Sequence, residues 1–105
     1  MFFESIEDLL CLLRKKIEEA KARRTLSIKD FFRWFWISMT LSEIEQCERA
    51  LLSLQSGDPV MKGTAIQVIG EFLKYRRKES RNDEELQRRI EEVEERFEEY
   101  LKTYT

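Results

Sequence analysis

Apolar side chains return every three or four residues through most of this chain. That interval traces one face of an α-helix. Three glycines and one proline in 105 residues leave little to interrupt it, and are too few for a turn-rich β fold or a disordered linker. The length fits one domain, 1–105, and 42% apolar residues can build a real core. The expectation is an all-α protein, a compact bundle of four to five helices with short connections.

The first helix is expected over about Ser5 to Arg24. Ile6, Leu9, Leu10, Leu13, Ile17 and Ala20 line one face, and Ser5 with Asp8 reads as a capping box. Phe2 and Phe3 either extend this helix or fold back over the core. A second start falls at Ser27, with Asp30 three residues on and a Leu26–Phe31 staple. Thr40 with Glu43, stapled by Met39 and Ile44, repeats the signal and predicts a sharp break at Thr40. The third helix then runs from Leu41 to Gln55, with Leu41, Ile44, Cys47, Leu51 and Leu54 inward and Ala50 and Leu52 widening that face, and Gly57 can close it in the left-handed conformation.

Asp58-Pro59 opens the next helix, with the acid as N-cap and the proline at the first helical position. A later start at Thr64 is the alternative. Met61, Ala65, Val68, Ile69, Phe72 and Tyr75 form its apolar face, and Gly63 and Gly70 share a side. The last helix is expected over about Asn82 to Leu101, where Leu86, Ile90, Val93, Phe97 and Tyr100 make a narrow heptad-like seam. Ser80 to Asp83 is a weak break, so a single long bent helix is the alternative there. The seam either packs on the bundle or pairs with a partner or a second copy.

The most apolar stretch is Ser27 to Thr40, which holds five of the twelve aromatic residues and both tryptophans. On a helical wheel Ile28, Phe31, Phe32, Phe35, Trp36 and Met39 cover one broad face, expected to be core. Trp34 and Ile37 fall on the other side, beside Arg33. A helix apolar nearly all round is either central in its fold or covered by a partner. Arg33, Trp34 and Ile37, extended by Ile90 and Phe97 of the last seam, are therefore the candidate protein-binding residues.

Charges nearly cancel, at a formal −2, but are unevenly placed. Residues 1–82 carry a net +3 and residues 83–105 a net −5. Two basic clusters stand out. Lys15, Lys16, Arg23 and Arg24 lie in one, and Arg76, Arg77 and Lys78 in the other. If the ends of their helices meet, they form one positive patch, and a nucleic-acid-binding helical protein is the alternative reading. Their position at helix C-termini also satisfies the helix dipole with no ligand.

Several classes of chemistry are not supported. The chain has no histidine, so Ser-His-Asp and Cys-His arrangements are excluded and a zinc site of ordinary ligands is not expected. No phosphate-binding glycine motif occurs. Cys11 and Cys47 are expected as free thiols on apolar helix faces. The acidic runs of the last helix read as a solvated face. No uncharged run reaches the ~20 residues of a membrane span, and Met1-Phe2-Phe3-Glu4 lacks the basic start of a secretory signal. The expectation is thus a small intracellular adaptor or regulatory protein, not an enzyme, with no cofactor, metal or small-molecule substrate. Its partner would be another protein or a second copy of itself.

Overall fold

The computed structural model describes the backbone of residues 1–22 and 28–104, and the side chains of 1–22 and 34–103. These residues form four helices: α1 (Phe2–Ala22), α2 (Ile28–Ser56), α3 (Pro59–Glu79) and α4 (Glu84–Tyr104). No strand occurs among the described residues. α2 packs most extensively on α3 and α1 on α4, and one buried cluster draws side chains from all four helices.

α1 begins at Phe2 rather than at Ser5. The Ser5 N–H donates to the Met1 carbonyl at 3.0 Å, which places it inside the first turn. Packing decides this. The Phe2 ring sits 5.2 Å from Phe97 and 5.3 Å from Tyr100, and Phe3 meets Tyr100 edge-on at 5.6 Å. Burying such rings is worth more than a serine cap. The Ser27 cap and the Leu26–Phe31 staple lie outside the residues whose side chains are described.

The break expected at Thr40 does not occur, so the bundle has four helices. α2 runs unbroken for 29 residues. The Thr40 hydroxyl donates to the Trp36 carbonyl, one turn back, at 2.7 Å. It also accepts from Nη1 of Arg76 at 3.2 Å. Glu43 turns to the same guanidinium, with Oε2 2.6 Å from Nη2. Both polar groups of the apparent capping box are thus taken up by α3. Met39 is partly exposed while Ile44 is fully buried, so the staple does not form either.

The other boundaries follow local chemistry. Gly57 adopts φ 88°, the left-handed conformation that ends α2. Asp58 Oδ1 accepts from the Val60 N–H at 3.0 Å, and Pro59 opens α3. The break near residue 80 is real. The Ser80 N–H donates to the Arg76 carbonyl at 3.0 Å, and Asp83 Oδ1 caps α4 through the Leu86 N–H at 3.2 Å. Gly70 faces α4, where an added Cβ would lie 3.8 Å from the Phe97 ring, whereas Gly63 has nothing within 4 Å.

On α2 Ile37, Thr40, Ile44, Cys47, Leu51 and Leu54 are buried in a continuous three- and four-residue alternation, with Ala50 buried beside them. On α3 they are Ala65, Ile69, Phe72 and then Arg76, with Leu73 beside them. Met61 and Tyr75, expected inside, are exposed. Burial pushes the Cys47 thiol up to about 12. Cys11 is free and exposed rather than set in the core.

α2 is the long element, with 29 residues against 21 in each of the others. Eight extra residues at 1.5 Å each add about 12 Å. The tight Gly57-Asp58 turn keeps α2 and α3 level at one end. At the other, Arg76 sits opposite Thr40 and Glu43, and Trp36 shares a cleft with Glu79, Ser80 and Ala20. The first two turns of α2 therefore run past the level at which α3 ends. This accords with the 50 × 25 × 19 Å extents of the molecule.

Candidate functional site: the outer face of α2

Opposite the buried stripe, α2 carries Trp34, Phe35 and Met39 on its solvent side. Trp34 is 64% exposed and Phe35 61%. At 100° per residue they share a sector with Ser38, Ser42, Gln46 and Arg49, all exposed, and with Leu52 one end further on. Leu52, expected to widen the apolar face, is 66% exposed, because it lies outside the phase set by Ile44, Cys47 and Leu51. Adjacent exposed aromatics on a rigid helix have the composition of a contact surface, because they add buried area with few rotamers to immobilise.

The sequence-based division of this helix is corrected here. Trp34 does lie outside. Ile37, assigned with it to the binding face, is only 2% exposed and belongs to the core. Phe35 and Met39, assigned to the core face, lie outside, and Trp36 is half-buried. The cause is the missing break. A helix ending at Thr40 would be phased by its own aromatics. A helix running to Ser56 is phased by its longer half, and Ile37 and Thr40 extend the stripe of Ile44, Cys47 and Leu51. The side chains of Arg33, Ile28, Phe31 and Phe32 lie outside the described residues.

Ile90 and Phe97 are also buried within the chain. Their seam, Leu86–Ile90–Val93–Phe97, is covered mainly by α1, and Phe97 closes on Phe2 and on the space left by Gly70. It offers no free face to a partner.

The two basic clusters do approach each other, since Lys16 Nζ lies 2.8 Å from Asp83 Oδ2 and 3.7 Å from Glu85. Among the described residues they do not merge into a continuous positive patch, because Asp83 and Glu85 take up Lys16. Its hydrogen bond with Asp83 raises the Lys16 pKa and holds the Asp83 carboxyl below its usual range. Arg77 pairs with Glu94 at 3.2 Å. Arg76 is 3% exposed and serves the core, so charge reversal there would disrupt packing before any surface contact. Lys15 and Lys78 are exposed, and Arg23 and Arg24 lie outside the described residues. Where the helix ends meet there is a cleft of about 390 Å³, floored by Leu13, Trp36 and Ile90 and edged by charges of both signs.

The buried Arg76 node was missed in the sequence. One signal could have found it: Arg76 continues the 65–69–72 spacing, which places a cation on the core side of its helix. Burial raises the Glu43 pKa against the opposing pull of Arg76. Arg76 Nε has no hydrogen-bond partner among the described residues. Among these residues, no helix is long and apolar enough to cross a membrane. No protein-family model matches the chain, and no curated protein or solved structure matches it significantly.

Proposed function

We propose that this chain is a small, non-enzymatic, intracellular adaptor or regulatory protein whose outer α2 face binds a protein. One observation carries the reading: Trp34 and Phe35 stand side by side in solvent on a helix whose opposite stripe already fills the core. Leaving two large rings in water forgoes several kcal/mol that burial would supply, roughly 1.5–3 kcal/mol per ring. Burial of the two rings would supply affinity, and Arg49 with the serines between would add polar contacts. Nucleic-acid binding has less support, because Lys16, Arg76 and Arg77 are already committed to Asp83, Glu43 and Glu94.

The test compares the wild-type chain with a Trp34→Ala, Phe35→Ala double variant as immobilised bait, quantifying bound protein, foreign or self. The double variant is expected to lose the bound species while its helical circular dichroism is unchanged. Equal capture by the two baits would overturn the reading.

A further inference from the structure

The exposed large apolar side chains of the described residues are not scattered. Apart from Met1 and Tyr75 they fall in two groups, one toward the start of α2 and one around its turn into α3. Trp34, Phe35 and Met39 lie at the end that runs past α3, and Leu52, Val60 and Met61 lie around the turn into α3. Between the two groups the outer face carries small or polar side chains, Ser38, Ser42, Glu45 and Arg49. Positions 35, 38, 42, 45, 49 and 52 keep the alternating three- and four-residue spacing of a helix–helix seam.

Resting on the reading of this face as protein-binding, we infer that its partner is a second copy of the chain, docked antiparallel through α2. A two-fold axis near residues 43–44 makes the face complementary to itself. The aromatic end of each copy lies on the aliphatic end of the other, with Phe35 opposite the partner's Leu52. Ser38 comes opposite the partner's Arg49, and Ser42 opposite the partner's Glu45. The serines allow close approach of the two backbones, and their hydroxyls supply a donor to the carboxylate and an acceptor to the guanidinium. Arg49 also comes within reach of the partner's aromatic rings, a favourable cation–π placement.

The same axis explains why α2 is long. Its first two turns have no α3 beside them within their own chain. In the pair they lie along the partner's α2–α3 turn, where Leu52, Val60 and Met61 are exposed. The area is sufficient for a modest dimer. The two rings of each copy expose roughly 300 Å², hence about 600 Å² in the pair. Met39, Leu52 and the intervening polar positions bring the total near the ~1,000 Å² that a specific interface needs.

Sedimentation velocity on the full chain from about 1 to about 500 μM brackets the dissociation constant of such an interface. A reversible monomer–dimer equilibrium is expected, with Trp34→Ala plus Phe35→Ala raising the dissociation constant at least about a hundredfold. Orientation is read from cysteine variants in a Cys11→Ser background. Mixed Ser38→Cys and Arg49→Cys chains should oxidise to the mixed 38–49 disulfide in preference to either homodisulfide. A chain monomeric throughout this range, or a dimer indifferent to the double variant, overturns the inference, as does a preference for homodisulfides. If a monomeric chain still captures a foreign protein through Trp34 and Phe35, only the self-pairing fails. If capture is also indifferent to them, the broader reading fails with it.

Discussion

Nη1 of Arg76 donates to the Thr40 hydroxyl at 3.2 Å across the α2–α3 interface, and both residues are buried. The same guanidinium holds Glu43 through Nη2 and lies 4.7 Å from the centre of the Tyr75 ring. Removing one partner of such a node strands the others. Arg76→Leu should therefore lower the unfolding free energy by about 2–4 kcal/mol in urea titrations. Arg76→Leu combined with Glu43→Leu should recover most of that loss, because an apolar pair needs no counter-charge. Equal loss in both variants would mean that shape, not charge, sets the cost.

The Lys16–Asp83 pair gives stability a defined pH window. The Asp83 pKa is lowered in the fold, so its contribution is present above the unfolded value near 4 and is lost as pH falls through the lower folded value. The Lys16 pKa is raised, so its contribution is present below about 10 and is lost as pH rises through the higher folded value. Glu43 has the opposite sign from Asp83. Its raised pKa means that ionisation costs stability, which is regained as pH falls through the folded value. Wild type should exceed Lys16→Met by no more than about 1 kcal/mol near neutral pH. That gap should close as pH falls through the lowered Asp83 value, where the carboxylate is lost. Urea midpoints across pH read both effects.

The two faces of α2 can be separated by stability alone. Ile37→Ala removes a fully packed side chain and should cost about 2–4 kcal/mol. Phe35→Ala and Trp34→Ala, which leave solvent-facing positions, should each stay within about 0.5–1 kcal/mol when measured on dilute chain. Chemical denaturation of the three variants side by side checks the assignment. A large loss at Trp34 and a small one at Ile37 would reverse it.

The glycines make opposite predictions. Gly57 sits at φ 88°, so Gly57→Ala should destabilise by about 1 kcal/mol. Gly63 lies inside α3 with open space around it, so Gly63→Ala should stabilise by a similar ~1 kcal/mol. Gly70→Ala meets Phe97 only at ordinary contact distance and should also stabilise. Thermal melts of the three variants decide the signs.

What the sequence conveyed, and what it did not, follows from the range of the forces involved. The Asp58-Pro59 start, the Gly57 stop and the α4 seam are local features, and all three stand in the structure. The Thr40–Glu43 pair carried the same local signature and misled, because the group that uses it lies 36 residues away on another helix. The error at Ile37 descends from that one. A helix ending at Thr40 has nothing to tie its aromatic segment to the phase of Ile44 and Leu51. The start at Phe2 was hidden for a related reason: its partners, Phe97 and Tyr100, lie at the far end of the chain.

The pairing of α1 with α4 has a consequence for the order of events during synthesis. The principal cover for Ile6, Leu9, Leu13 and Ile17 belongs to residues 84–104, the last of the four helices to leave the ribosome. The α2–α3 hairpin, joined by two residues, can close as soon as α3 has emerged. The nascent chain thus carries a finished hairpin beside a first helix whose apolar stripe still lacks its main cover. That interval is when this protein is most exposed to chaperones and to its own unfinished neighbours on a polysome.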